Sequence, residues 1–307
     1  MRKDKTNKSK EKSVNVYEMV TKEILKTIAR GTLPWRQTWT ARKGARHPFT
    51  NRFTGKPYSF LNTLLLGTPG EYATFNQIKE KKGSVKKGAK SKIVIYWGEF
   101  IPKENKERAE ELEREGKDIS HLKVRFPKYY RVFSMDDVEG IEPQEAVGEP
   151  AMESALAPTD IAEMAERDYI ISTGVNIDRD SDEPGYDALT DTVSVPSADR
   201  FTYEEDFHAA LLRELAHSTA AEGRCDRKRE MEAMESDEAS VKEELIAEIA
   251  SSMCLSAAGL ERRETKEQIA AECERWARIL GSDHRLIVNA SYGAEKAAKL
   301  ILGEFAE

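Results

Sequence analysis

The sequence predicts an α+β protein in which an N-terminal α+β domain is followed by a mostly helical domain with a small sheet. Strand-like and helical hydrophobic patterns alternate up to about residue 140, and helical periodicity dominates from residue 159 onward. Residues 136–158 are rich in Pro, Gly and Glu, which predicts a linker at residues 141–158. At 307 residues the chain is long enough for two such domains.

The elements of the N-terminal domain, residues 15–140, follow from local patterns. Apolar residues recur at helical spacing from Val16 to Ile28. The lysine-rich segment before Ile93–Trp97 predicts a basic turn that leads into a buried strand. Residues 101–121 are nearly all charged and predict a solvated helix or loop insertion, after which strand character returns.

The C-terminal domain, residues 159–307, is predicted to be helical with one hairpin. The strand Thr192–Val195 follows a turn and stops at a proline. A long helix comes next, and Thr202 with Glu205 three residues later has the pattern of a capping box. The remaining segments show helical periodicity.

Charge divides the chain more sharply than its net value of −7 suggests. Residues 1–98 contain 22 Lys and Arg against 6 Asp and Glu, a balance of +16, and the remainder therefore carries −23. Residues 1–14 form a basic arm that we expect to be disordered. The asymmetry predicts an N-terminal half that faces nucleic acid, joined to an acidic half.

The composition also excludes some classes of protein. Three cysteines without C-x-x-C spacing argue against a disulfide framework or a cysteine zinc site, and indicate reduced thiols in the cytoplasm. The apolar runs are only a few residues long, so we expect no membrane span.

The candidate DNA-binding residues are aromatic and basic side chains, together with two asparagines that could bind bases or sugars. Exposed rings stack on unpaired bases, and cations contact phosphates, with little sequence preference. Core packing remains the alternative for each tryptophan. The residues are Trp35, Arg36, Trp39, Arg42, Lys43, Asn51, Arg52, Lys56, Tyr58, Asn62, Lys86, Lys87 and Lys90.

One helix, LLRELAHST, resembles the H-E-x-x-H zinc-protease signature except that Arg213 replaces the first histidine. Glu214 and His217 share a helix face, and a carboxylate such as Glu244 on a later helix could be a third ligand. Glu248 lies one turn further and could orient a ligand histidine. A guanidinium has no lone pair for a metal, so Arg213 could instead neutralise the carboxylates. A metal site, an altered site and an ordinary helix all remain open at this point.

The order of these elements resembles the ArdC antirestriction family. The matching segments are collinear over nearly the whole chain and include YEMVTKEILKTIARGTLPWRQTW, TGKPYSFLNTLLL, YYRVFSMDDVEGI, LLRELAHST and KEELIAEIASSMCL. The resemblance implies a single-stranded-DNA-binding domain followed by a zincin-like metallopeptidase domain. It also implies that Glu214 is the general base, that His217 and Glu244 are metal ligands, and that Glu248 supports the ligands.

The family motif has histidine where this chain has Arg213, so we expect zinc binding and peptidase activity to be weak or absent. The resemblance predicts a cytoplasmic, single-stranded-DNA-binding antirestriction protein of a conjugative or other mobile genetic element. Single-stranded DNA, and a host restriction or defence protein, are the expected partners. The alternatives are an active zinc-dependent metallopeptidase that cleaves a host protein, and a protein-docking module without catalysis.

Overall fold

The computed structural model of the chain describes residues 15–37, 48–142, 156–227 and 237–303. The N-terminal half contains the elements α1 (Val16–Ile28), β1 (Phe49–Asn51), α2 (Phe60–Leu66), β2 (Gly70–Thr74), α3 (Phe75–Glu80), β3 (Ser84–Val85), β4 (Lys92–Phe100), α4 (Lys106–Arg114), β5 (Val124–Ser134) and β6 (Val138–Glu139). The C-terminal half contains α5 (Pro158–Thr173), β7 (Asn176–Asp178), β8 (Gly185–Asp187), β9 (Thr192–Ser194), α6 (Glu204–Ser218), α7 (Asp237–Ala258), α8 (Lys266–Ser282) and α9 (Leu286–Ile301).

The N-terminal half is built on a four-stranded sheet of order β1-β2-β5-β4. Strands β1 and β2 are parallel, and the other neighbours are antiparallel. The ladder between β4 and β5 is the longest and runs from Lys92 opposite Val132 to Phe100 opposite Val124. The predicted charged insertion contains α4 and connects these two strands.

The C-terminal half is helical apart from a three-stranded sheet of order β7-β9-β8. Strands β8 and β9 form the predicted hairpin, and β7 pairs with β9 in parallel. The predicted α+β class, with an α+β half before a helical half that carries a small sheet, is confirmed.

One hydrophobic core joins the two halves. It includes Val20 and Ile24 on the buried face of α1, and Trp276 and Leu280 of α8. Trp35, which is 1% exposed, meets Trp276 edge to face with ring centroids 5.9 Å apart. The first helix of the N-terminal half therefore packs on the C-terminal helices as well as on its own sheet.

Two local predictions need correction. Helix α6 begins at Glu204 after Tyr203, so Thr202 does not cap it; acidic residues in the first turn complement the helix dipole instead. The predicted buried strand is part of the longer β4, in which Tyr96 and Trp97 are exposed. The β4–β5 ladder extends past the part of the sheet that other elements cover.

The predicted basic arm, residues 1–14, and most of the predicted linker, residues 143–155, lie outside the described ranges. Within those ranges, no helix is both long enough and apolar enough to cross a bilayer.

Candidate metal centre and nucleic-acid surface

Helices α6 and α7 bring the residues of the R-E-x-x-H segment next to Glu244. We call Arg213, Glu214, His217 and Glu244 the RExxH centre; all four line a cleft of about 550 Å³ with the edge strand β8. His217 Nε2 lies 3.8 Å from Glu244 Oε1. The side chains at the predicted ligand positions are therefore neighbours.

Arg213 occupies the centre with its positive charge. Its Nη2 donates a hydrogen bond to Glu244 Oε2. Partial burial opposes the charge, but the carboxylates of Glu244 and Glu248 outweigh it and raise the pKa of the guanidinium above its ordinary value. A permanent cation is therefore paired with one of the predicted metal ligands.

Glu214, at the position of the general base, is buried. Burial raises the pKa of its carboxyl group, although its neighbours His217 and Arg213 act in the opposite direction. This carboxyl group holds a proton more readily than an exposed glutamate does.

The donor set does not fit a zincin metal ion. Such an ion takes three protein ligands, and a guanidinium has no lone pair to replace a histidine. Within the part of the chain that the structure describes, no group of three or more His, Cys, Asp or Glu side chains is arranged to hold a metal ion. His217 and Glu244 remain as two donors, and Arg213 competes for the second.

Glu248 does not contact His217. It accepts hydrogen bonds from Arg36 Nε at 2.6 Å and from Arg262 Nη1 at 3.2 Å. Burial alone would raise its pKa, but Arg262 and Arg36 hold it at about 2. Glu248 thus stabilises an ionised cluster between the two halves of the chain.

The carboxylate that faces the second ring nitrogen of His217 belongs to Glu243. Its Oε1 lies 3.6 Å from His217 Nδ1, and Arg227 holds both oxygens at 2.7 and 3.0 Å. Sequence reasoning chose Glu248 because it is four residues after Glu244. The rotation of α7 against α6, which no spacing within α7 reveals, selects Glu243 instead.

Several predicted DNA-binding residues serve the fold. Trp35, Asn51, Tyr58 and Asn62 are buried. Asn62 Nδ2 donates to the carbonyl of Ile95 at 2.9 Å, and the Ile95 N–H donates to Asn62 Oδ1 at 2.7 Å. In this structure these side chains are not accessible to a nucleic acid strand.

The predicted cations divide into two groups. Arg36 and Arg52 bind carboxylates, those of Glu248 and Glu71. Exposed lysines lie in the loop before α2 and in the turn before β4; these are Lys56, Lys86, Lys87 and Lys90. The predicted residues Trp39, Arg42 and Lys43 lie outside the described ranges.

Exposed aromatic residues that sequence reasoning did not select lie on the β4–β5 ladder. They are Tyr96, Trp97, Phe100, Tyr129 and Tyr130. The apolar run Ile93–Ile95 and the two aromatic residues that follow it favoured a wholly buried strand, and nothing in the local sequence marked where burial ends.

Family models match both halves of the chain. Residues 14–133 match the N-terminal domain of the anti-restriction factor ArdC. Residues 164–293 match a zincin-like metallopeptidase.

Curated relatives extend over almost the whole chain. The uncharacterized protein y4eC of Sinorhizobium fredii (strain NBRC 101917 / NGR234) is 26% identical in an alignment 303 residues long, which covers 95% of this chain and 93% of y4eC. DNA primase TraC of Escherichia coli is 25% identical over 93% of this chain but only 27% of TraC. The chain thus spans about a quarter of TraC.

Two crystal structures of the antirestriction protein ArdC from plasmid R388 are similar throughout. The Mn(II)-bound structure has a TM-score of 0.64 at 26% identity and covers 96% of this chain and 99% of that one. The metal-free structure has a TM-score of 0.65 at 28% identity, with coverage of 96% and 100%.

Proposed function

Since the chain is an ArdC-like antirestriction protein with a zincin-like C-terminal domain, we propose that it acts mainly as a single-stranded-DNA-binding accessory protein of a mobile element. Its zincin-like centre would be impaired in zinc binding and in peptide hydrolysis. Its place of action would be the cytoplasm, where a conjugating strand meets host restriction enzymes.

The observation that carries this proposal is the contact between Arg213 and Glu244. A metal ion at the centre would have to displace the guanidinium from Glu244 and accept a permanent positive charge nearby. The metal ion and the guanidinium would lie close together, and two positive charges repel each other strongly at short range where water is partly excluded. The chain is therefore better suited to binding than to metal-dependent hydrolysis.

The support for DNA binding comes from the N-terminal half. Its balance of +16 over residues 1–98 gives a field that attracts a polyanion. The lysine turn before β4 is exposed, and most of its charge, that of Lys87 and Lys90 above all, is available for phosphates. Lys86 Nζ also donates to the carbonyl of Asp136 at 2.8 Å, which fixes the turn against β5 and β6.

DNA binding is tested with a fluorescein-labelled oligothymidylate and the full chain. Anisotropy titrations at several salt concentrations should give a dissociation constant that rises steeply with salt, because phosphate contacts release counterions. A chain with Lys86, Lys87 and Lys90 changed to Gln should bind more weakly with a shallower salt slope. An affinity that does not respond to salt would contradict phosphate binding.

The second candidate function, a metal-dependent peptidase, is favoured by the Mn(II)-bound structure of the R388 protein. The metal content of the purified chain separates the two candidates. We expect little bound zinc or manganese in the native chain and stoichiometric zinc in Arg213→His, which restores a third ligand. Arg262→His, which changes another arginine near α7, is the matched control and should gain none. Stoichiometric metal in the native chain would support the peptidase.

A further inference from the structure

One face of the β4–β5 ladder is an exposed surface with no assigned role. Side chains alternate between the two faces of a sheet, so the register places Tyr96, Phe100, Val124, Phe126, Lys128 and Tyr130 on the same side. We call these six residues the outer face. On the opposite side, Ile93 and Ile95 belong to the core that joins the two halves.

The outer face is aromatic and open to solvent. Tyr96 is 45%, Phe100 48% and Tyr130 46% exposed. The rings form two edge-to-face pairs, Tyr96 with Tyr130 at 5.4 Å and Phe100 with Phe126 at 5.5 Å between centroids. A contiguous exposed patch of large apolar side chains usually marks an interaction site.

The two ring pairs lie in a row along the strands. Tyr96 and Phe100 are four residues apart in β4, which corresponds to roughly 13 Å along an extended strand. Gly98 lies between them, and a Cβ at this position would come within 3.0 Å of the Phe126 ring. Glycine therefore lets that ring lie across β4 and keeps the row continuous.

The charge of the outer face is positive. Lys128 lies opposite Tyr96, with its Nζ 5.1 Å from the centre of the Phe126 ring. Glu99 is the acidic residue of the two strands, and the register places it on the opposite side of the sheet. There it pairs with Arg125 at 3.4 Å. The exposed lysine turn precedes the same strand. The outer face itself thus carries a lysine and no carboxylate, while Glu110 and Glu113 of α4 line a cavity next to Phe100 together with Lys103, Lys106 and Lys123. Aromatic rings with lysines complement a nucleic acid strand.

We propose that the outer face is the docking surface for single-stranded DNA, on which unpaired bases stack against the two ring pairs while Lys128 contacts a phosphate. This rests on the DNA-binding function proposed above. The bases of a duplex are stacked on each other and paired, so their faces are not available to exposed rings. The surface therefore selects single strands over duplexes.

Neighbouring residues of β5 provide a matched test. Tyr130 and Tyr129 are 46% and 37% exposed and lie on opposite faces of the same strand. In the anisotropy titration, Tyr130→Ala and Phe100→Ala should each weaken binding of the oligothymidylate roughly 5- to 100-fold, the range for loss of one stacked base. Tyr129→Ala should stay within about twofold of the native chain, and Tyr130→Phe should restore binding. Thermal melting of each variant confirms that it folds.

The possible results distinguish a failure of the outer face as the DNA site from a failure of the proposed DNA-binding function. If the native chain binds DNA and folded Tyr130→Ala and Phe100→Ala bind equally well, the outer face is overturned as the DNA site and the proposed function stands. If the native chain binds no DNA at any salt concentration, both fail.

Lys128→Gln should reduce the salt slope by about 0.7, the share of one phosphate on a single strand. Equal affinity for a duplex of the same length would also overturn the proposal.

Discussion

Arg36 of the N-terminal half and Glu248 of the C-terminal half form a buried ion pair, with 2.6 Å between Arg36 Nε and Glu248 Oε1. The same guanidinium reaches Glu264 at 2.5 Å, and Arg262 contacts the second oxygen of Glu248. The pair lies beside the contact of Trp35 with Trp276. The turn that follows α1 is therefore bound to the C-terminal helices by both charge and packing.

Arg36→Ala should destabilise the whole chain. Removing one partner of a buried pair leaves the other charge partly uncompensated, at about 3–5 kcal/mol, and Arg262 should keep the loss near the lower end. Urea unfolding followed by tryptophan fluorescence measures the change.

The pair of Lys26 with Glu23 is the matched control for this prediction. Its nitrogen–oxygen distance is also 2.6 Å, but its side chains are 55% and 42% exposed. Lys26→Ala should change the free energy of unfolding by no more than about 1 kcal/mol. Equal losses for the two variants would show that burial does not set the strength of the Arg36 pair.

Lowering the pH should reduce the stability of the folded chain because Glu248 becomes protonated. Its pKa is about 2 in the folded chain against the ordinary 4.5. A lowered pKa contributes stability that is complete above about pH 4.5 and is lost as the pH falls toward 2. Glu248→Gln should therefore cost on the order of 3 kcal/mol at pH 7 and clearly less at pH 3.

Urea unfolding at the two pH values checks this, with Glu23→Gln as the control because the Glu23 side chain on α1 is 42% exposed. If the free energies of unfolding of the native chain and of Glu248→Gln differ by the same amount at both pH values, the carboxylate of Glu248 is not held ionised.

Chelation should distinguish the native centre from a restored one. A ligand that binds only the folded state adds stability of about 4 kcal/mol at 1,000 times its dissociation constant. EDTA should leave the melting temperature of the native chain unchanged and should lower that of zinc-loaded Arg213→His. Calorimetry with and without EDTA measures both. A drop of several degrees in the native chain would show that Arg213 does not prevent metal binding.

Local patterns predicted much of the fold but less of the site. The predicted helix from Val16 to Ile28 and the hairpin around Thr192 were found because hydrophobic period and turn residues are local signals. That Arg213 would neutralise a carboxylate also followed from the chemistry of its side chain.

The remaining features depend on contacts between segments that are far apart in the chain. Trp35 meets a residue more than 200 positions later, and Glu243 faces His217 through the rotation of α7 against α6. Exposure at Tyr96 depends on where the other elements stop covering the sheet. Periodicity within one segment carries none of this information.

Asn62 tests whether a buried amide serves the fold or the nucleic acid. It satisfies both backbone groups of Ile95 in β4, so Asn62→Ala leaves two buried groups without this partner and should cost about 2–4 kcal/mol. Under conditions in which the variant remains folded, its DNA affinity should equal that of the native chain.

Lys56→Gln is the opposite case, since Lys56 is exposed. Its free energy of unfolding should stay within about 0.5 kcal/mol of that of the native chain, while the salt slope of DNA binding falls. Urea unfolding and anisotropy on the same preparations measure both quantities. Weaker DNA binding by folded Asn62→Ala would show that Asn62 contributes to the DNA-binding site.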